Sequence, residues 1–223
     1  MGKGLDNTRG ETTRQALIDA GLKLFGEYGF SATSTRMLTD LSGTNIAAIS
    51  YHFGSKEALY HAVITYIAEQ IRHKLGDRFT HIKAALSQPN LTNTEAKKQL
   101  ISLIMALSSL FVESDAPKHW AFVIMREQIN PSPAFSIIYN HVMQPVHETL
   151  ATLIAHLTGH NPKDDVTIIK AHMLVGQVLI FLSARETILR RLHTKKFTAI
   201  HLTTIQEQLR KHVLACVGIK EDA

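Results

Sequence analysis

Residues 33–56 read TSTRMLTDLSGTNIAAISYHFGSK, and this stretch decides how the rest of the chain is interpreted. A threonine or serine at its start can cap a first short helix. Gly43 is expected to end that helix, because glycine readily adopts the left-handed conformation found at helix C-termini. Asn45 suits the N-cap of a second helix over residues 46–53, since its side-chain oxygen can accept a backbone N–H group. The pattern predicts a helix-turn-helix, whose second helix enters the major groove of DNA.

The end of this stretch gives a second indication of a phosphate partner. Ser55 is suited to cap the following helix, which places Lys56 in the first turn of that helix. A cation at this position opposes the helix dipole, whereas helix N-termini bind anions. Lys56 is therefore expected to face the DNA backbone rather than water.

The same stretch resembles the TetR family of bacterial transcriptional repressors over about residues 11–63. The resemblance rests on a glycine turn, a short recognition helix, an aromatic-His-Phe sequence and a Ser-Lys-Glu-x-Leu sequence, which here are Gly43, Tyr51, His52, Phe53, Ser55, Lys56, Glu57 and Leu59. Members of the family most often carry the aromatic residue two positions before the histidine. Here Ser50 occupies that position and Tyr51 follows it, so the role of Tyr51 stays open between a phosphate contact and a base contact.

The chain of 223 residues carries a net charge of +5, which is consistent with a polyanionic partner. The charge is weak support, because residues 1–60 hold six basic and six acidic residues and are neutral overall. Cys216 is the only cysteine, which excludes an internal disulfide and fits a reducing compartment. The N-terminus lacks the apolar core of a signal peptide. We therefore expect a cytoplasmic protein without membrane association and without a cofactor.

Apolar residues recur at helical spacing along the remaining chain, and no strand pattern occurs. The sequence predicts an all-α fold of about nine helices. An N-terminal helix-turn-helix domain of three helices is expected over residues 9–70, and a C-terminal regulatory and dimerisation domain over residues 71–223. Pro145 is expected to kink the seventh helix. The eighth helix is expected to run from the Asn161-Pro162 cap to about His193.

The DNA-binding residues are predicted to fall into two groups. The recognition helix is expected to read bases or their phosphates with Asn45, Ala47, Ala48, Ser50 and Tyr51. Contacts to the phosphate backbone, which set register rather than sequence, are expected from the turn and the helix starts: Thr33, Ser34, Thr35, Arg36, Thr44, His52 and Lys56.

The second half of the chain is expected to bind a small molecule. The sixth predicted helix is apolar nearly all round, and an apolar cavity with a few polar groups is the usual form of a small-molecule site. The candidate walls are Trp120, Phe122, Phe135, Tyr139, His172 and Phe181, and the candidate polar contacts are Arg126, Gln128 and Arg185. Aromatic residues at helical spacing are also common in an ordinary core, and these arginines can form structural pairs, so both interpretations stay open.

Residues 120–135, with their Arg-Glu-Gln and Pro-Ser-Pro-Ala-Phe sequences, resemble the C-terminal domain of the CecR-like branch of TetR regulators, and the resemblance continues more loosely to about Leu192. It implies a homodimer that binds a palindromic operator and releases it when a small molecule binds the C-terminal domain. It also suggests control of membrane or efflux genes linked to drug sensitivity. Independently, the apolar circumference of the eighth predicted helix favours dimerisation through helices eight and nine, and a helix central to its own core is the alternative interpretation.

The sequence also bears on three other functions, which are metal binding, catalysis and protein binding. His156 and His160 have the spacing of two metal ligands on a helix, but Gly159 should end the helix between them and no third ligand is evident nearby. No nucleophile elbow, phosphate-binding glycine loop or paired cysteines indicate an enzyme, so no catalytic residue and no metal ligand is predicted. A helical adaptor that uses the helix-turn-helix to bind protein, or a small-molecule-binding protein without DNA binding, remains the alternative.

Overall fold

The computed structural model describes residues 3–113 and 118–218, and these residues form helices without a β-strand. The helices are α1 (Lys3–Ala32), α2 (Thr35–Ser42), α3 (Ile46–Phe53), α4 (Lys56–Leu86), α5 (Asn93–Ser108), α6 (Lys118–Ile129), α7 (Phe135–Ile138), α8 (Gln144–Thr158), α9 (Asp165–Ser183), α10 (Arg185–Arg191) and α11 (Ala199–Cys216). A π-helical turn, Ser109–Glu113, extends α5, and a second, Tyr139–Met143, joins α7 to α8. The predicted all-α fold is confirmed.

The helix-turn-helix forms as its local sequence predicts. The Ser34 hydroxyl caps α2 by accepting the N–H of Met37 at 3.2 Å. Gly43 ends α2 with φ 67° and ψ 26°, in the left-handed region that favours glycine. The Asn45 side-chain oxygen then caps α3 by accepting the N–H of Ala48 at 2.9 Å. These three local interactions fix the turn that presents α3.

The chain packs as two compact units. One comprises Met1–Arg72 with Ala116–Val142, and the other comprises His73–Asp115 with Met143–Ala223. The first unit buries apolar side chains from each of α1 to α4, among them Leu17, Phe25, Leu38, Ile49, Leu59 and Ile64. Helix α6 packs against α1 in this unit, so it lies with the helix-turn-helix rather than with α5, which precedes it in sequence. The linear division at residue 70 into two functional domains stays a prediction.

Two of the long predicted helices are interrupted. The predicted seventh helix contains a π-helical turn, Tyr139–Met143, directly before Pro145, which lies in the first turn of α8. Proline has no N–H for an intrahelical bond, and prolines and π-helical turns are common sites of helix bending. The kink at Pro145 stays a prediction. The predicted eighth helix breaks at Ala184, whose φ of −111° and ψ of 29° are not helical, and this separates α9 from α10. Directly after the break, Arg185 donates to the carbonyl of Val112 at 3.3 Å and lies over the ring of Phe197.

Helix α9 is unusually apolar. Among the described residues it is the one helix long and apolar enough to cross a bilayer, judged by length and composition, and only 22% of its apolar stretch is buried within the chain. Its uncovered side chains include Val166, Ile169, Met173 and Ile180, each about half exposed. These residues recur at three- and four-residue spacings or their multiples and therefore share one face of the helix. No element formed by residues 3–113 and 118–218 covers this face.

Candidate DNA interface and effector region

The recognition helix α3 has one buried and one exposed side. Ile49 is 2% exposed and anchors the helix in the core. Ala47, Ser50 and Tyr51 lie on the opposite side and are exposed, Tyr51 to 84%. The ring of Tyr51 stands edge-on to the half-buried ring of His52, with the ring centroids 4.9 Å apart. This side therefore offers two hydroxyl groups and a large aromatic ring to a partner.

Residues at the turn are partly engaged in holding the turn together. Asn45 uses its side-chain oxygen as the α3 cap, which leaves its two amide N–H groups as donors for a partner. The Thr44 hydroxyl lies 2.8 Å from the Ser42 hydroxyl, and Ala48 is half-buried. Of the residues that the sequence places at the bases, Asn45, Ala47, Ser50 and Tyr51 are exposed, and Ala48 is the one that is partly covered.

The start of α2 also faces outward. Ser34 and Arg36 are exposed, and Thr35 is half-buried at the first position of the helix. The Arg36 guanidinium lies 3.8 Å from the Asp40 carboxylate, with both side chains largely in solvent. Such a surface ion pair contributes little, so Arg36 can exchange it for a phosphate.

Thr33 was predicted to contact the phosphate backbone, but the structure buries it. The side chain is fully buried, and its hydroxyl donates to the carbonyls of Gly29 at 2.7 Å and Leu24 at 3.1 Å. It has no surface from which to reach a phosphate. A threonine next to a helix start reads in the sequence as a candidate contact, but here it closes the end of α1.

Lys56 is bound within the protein. Its amine donates to the carbonyls of Thr33 at 2.9 Å and Phe30 at 3.0 Å, and it lies 4.3 Å from the centre of the Phe30 ring. An ammonium group has three donors, so at most one remains for a phosphate. The first residue of α4 is thereby tied to the segment that connects α1 to α2.

Arg126 fastens α6 to α1. Its guanidinium donates to the carbonyls of Glu27 at 2.7 Å and Gly26 at 3.1 Å. The helices approach closely here, because a Cβ atom at Gly26 would lie 2.6 Å from the carbonyl oxygen of His119. Although Arg126 was expected to be a polar contact for a ligand, its guanidinium is engaged with α1.

A buried carboxylate joins α6 to α4, and sequence reasoning missed it. Glu127 is 2% exposed, and it accepts hydrogen bonds from the Tyr60 hydroxyl at 2.6 Å and from the backbone N–H and hydroxyl of Ser132. Burial, followed by the hydrogen bond to Glu127, raises the pKa of Tyr60. A glutamate in α6, directly after the apolar run at residues 120–125, was the available signal, because buried charges need partners.

The remaining effector candidates are divided between the two units. Six of the nine lie in the first unit, which are Trp120, Phe122, Arg126, Gln128, Phe135 and Tyr139, and three lie in the second, which are His172, Phe181 and Arg185. In the first unit the rings of Phe135 and Tyr139 are 5.9 Å apart. In the second, His172 lies against His147, with ring nitrogens 3.3 Å apart. The ligand role of these residues stays a prediction.

Comparison with known proteins matches both halves of the chain. The model "Bacterial regulatory proteins, tetR family" matches residues 17–63, and the model "HTH-type transcriptional dual regulator CecR, C-terminal domain" matches residues 96–218. The dual regulator CecR of Shigella flexneri is 33% identical over 205 residues, which is 92% of this chain and 91% of that protein.

Solved structures show the same fold. AibR, in complex with isovaleryl coenzyme A and operator DNA, superposes with a TM-score of 0.64 at 14% identity, over 90% of this chain and 97% of that chain. HlyIIR, a hemolysin II transcriptional regulator, superposes with a TM-score of 0.57 at 17% identity, over 90% of this chain and 98% of that chain. At these identities the likeness concerns the fold alone.

Proposed function

Because the chain belongs to the TetR family of bacterial transcriptional regulators, in its CecR branch, we propose that it represses its target genes by reading a palindromic operator with α3 of each protomer of a dimer. It is a ligand-responsive DNA-binding regulator. We also propose which residues contact DNA, which helices form the dimer interface and where the effector acts. The proposal also includes action in the cytoplasm without catalytic turnover.

The observation that carries the proposal is the exposed side of α3. A helix of eight residues is capped at both ends, anchored by Ile49, and presents Ala47, Ser50 and Tyr51 to solvent. A helix built for the core alone would not place a tyrosine at 84% exposure on its outer side. Recognition helices of the helix-turn-helix class meet the major groove with such a surface.

Contacts to the phosphate backbone are assigned to the exposed start of α2 and to the turn. Ser34 and Arg36 are accessible, and Thr35 lies between them at the N-terminus of α2, where backbone N–H groups can bind an anion. Thr44 lies just before the recognition helix, His52 lies in its last turn, and both are half-buried. Lys56 instead bonds the start of α4 to the segment that connects α1 to α2, and at most one of its N–H groups is left for a phosphate.

The dimer interface is assigned to α9 and α11. One half-site spans too few base pairs for selective binding, and a dimer reads two half-sites one helical turn or a multiple apart. The apolar face of α9 is continuous with Gly176, where an added Cβ atom would meet nothing in the same chain. A glycine on an exposed helix face allows the backbone of a partner to approach closely. A second copy of α9 would therefore cover the exposed face.

The effector is proposed to act through α6. Arg126 bonds this helix to α1, which contacts α3, and Glu127 bonds it to Tyr60 of α4, so a displacement of α6 acts directly on α1 and α4. The candidate ligand contacts nearest to these bonds in sequence, all on α6, are Gln128, Phe122 and Trp120. Only a ligand that binds two conformations unequally can shift the protein between them.

A gel-shift assay against the DNA upstream of the gene tests the proposal. Wild type is expected to form a discrete complex at moderate salt, and Tyr51→Ala is expected to weaken it. Tyr28→Ala is the matched control, because Tyr28 is also exposed, at 47%, but lies on α1. Absence of selective binding, also against a randomised DNA pool, would refute DNA reading and favour the adaptor. Selective binding that weakens with rising salt would exclude the adaptor.

A further inference from the structure

The first residue of α3 is an apolar side chain that the protein leaves in solvent. Ile46 is 58% exposed, whereas Ile49, three residues further on, is 2% exposed. Single exposed isoleucines are ordinary on protein surfaces. The position is what distinguishes this one, because the N-terminal residues of the second helix in a helix-turn-helix contact the edges of bases.

The surroundings of Ile46 determine which chemistry it can recognise. Ala47, the next residue, is exposed and has no side-chain hydrogen-bonding group. The side-chain oxygen of Asn45 is engaged as the helix cap. At Ile46 and Ala47 the start of α3 therefore presents carbon, beside the amide N–H groups of Asn45, while Ser50 and Tyr51, about a turn further on, present hydroxyl groups. Among the base edges in the major groove, the apolar feature is the C5-methyl group of thymine.

We propose that Ile46 is a specificity-determining residue, which packs against the C5-methyl group of a thymine in each operator half-site, with Ala47 beside it. This inference rests on the proposed reading of DNA by α3. Burying one methyl group against apolar carbon removes it from water and strengthens DNA binding by about fourfold. Two symmetric half-sites then give roughly fifteenfold.

The experiment removes that methyl group and nothing else. Binding sites are first selected from a randomised DNA pool with the full-length wild-type chain. Each thymine of the selected site is then replaced in turn by deoxyuridine, which keeps every hydrogen-bonding group of the base edge. At one thymine position per half-site, wild type is expected to lose about fourfold in affinity for a single replacement and roughly fifteenfold for both.

Variants connect the effect to the side chain. Ile46→Ala is expected to bind the thymine and uracil forms of the site equally, and Ile46→Val to show an intermediate preference. Ile129→Ala is the matched control. Ile129 is 81% exposed at the last position of α6, so its replacement also removes an exposed isoleucine from a helix end in the same compact unit. This control is expected to keep the wild-type preference for thymine.

The possible outcomes distinguish failure of the thymine contact from failure of DNA reading by α3. Equal binding of thymine and uracil sites by wild type at every position would overturn the inference while DNA reading stands. A thymine preference that is undiminished in both Ile46→Ala and Ile46→Val would also overturn it. Failure of wild type to select any site from the pool would remove DNA reading itself, and the inference with it. Circular dichroism of the variants confirms that they fold, and Ile46→Val carries the test where Ile46→Ala does not fold.

Discussion

The structure predicts that Lys56 supports DNA binding mainly by holding the helix-turn-helix in place. Its amine makes two hydrogen bonds to carbonyls, 2.9 and 3.0 Å long, across 23 and 26 residues of sequence. Lys56→Met removes the charged amine and keeps most of the apolar stem. The carbonyls of Phe30 and Thr33 then lose their charged donor, and the start of α4 is released from the end of α1.

The magnitude follows from these contacts. A hydrogen bond to a charged group contributes about 1.5–3 kcal/mol when buried, and a cation–π contact at an exposed site about 0.5–1 kcal/mol. Lys56 is half-buried, and water can replace part of what is lost, so we expect a decrease of about 2 kcal/mol in the free energy of unfolding. For a chain of this length that corresponds to a decrease in Tm of roughly 4–8 °C.

The salt dependence of DNA binding separates positioning from phosphate contact. Each phosphate contact contributes about 0.9 to the slope of log K against log salt, or about 1.8 for a symmetric dimer. Lys56→Met is expected to lower the Tm and the affinity while leaving the slope unchanged. Arg36→Met is the matched control, because Arg36 is exposed and held only by a surface ion pair. It is expected to lower the slope by about 1.8 and leave the Tm unchanged. A slope lowered by about 1.8 in Lys56→Met, with an unchanged Tm, would refute the positioning role.

Three further predictions concern the interface, the buried carboxylate and the effector. Gly176→Leu should raise the dissociation constant of the dimer by about tenfold or more through overpacking, as measured by sedimentation. Gly76→Leu, where an added Cβ atom also meets nothing, should leave the dimer intact, and an equal effect of the two changes would contradict the assigned interface. Tyr60→Phe should destabilise the fold by about 1–3 kcal/mol near neutral pH, as measured by chemical unfolding. Because the folded pKa of Tyr60 is raised, wild type should also lose stability above about pH 10, and equal alkaline losses in wild type and Tyr60→Phe would count against this cause. Trp120→Ala should bind operator normally and release it poorly with an inducer identified by operator release, whereas unchanged release would remove Trp120 from the effector site.

The features that the sequence predicted correctly depend on neighbouring residues. The caps at Ser34, Asn45 and Ser55 each bond a backbone N–H three residues further along the chain. Gly43 ends α2 because of its own backbone freedom. These interactions involve residues so close in sequence that side-chain type and spacing are sufficient to identify them. The same locality explains why the motif indicated the DNA-reading helix before the fold was known.

The features that the sequence did not reveal depend on distant partners. Arg126 meets the carbonyl of Gly26 across 100 residues, and Tyr60 meets Glu127 across 67. Spacing within one helix cannot indicate such pairs, so Arg126 resembled a ligand contact. Thr33 resembled a phosphate contact for the same reason, because nothing near it in sequence indicates that its hydroxyl is used to close α1. Side-chain type alone does not show whether a polar group is free.

The two distant pairs change where a signal would enter the DNA-reading unit. The length of α4, which runs from Lys56 to Leu86, suggests one route, in which an effector shifts that helix. The structure adds a shorter route, because α6 is fixed to α1 by a guanidinium and to α4 by a buried carboxylate. Moving α6 away from its partners would leave the Glu127 carboxylate without its hydrogen bonds in a buried site, which is costly. An effector that displaces α6 is therefore expected to carry Tyr60 and the end of α1 with it, and α1 contacts α3.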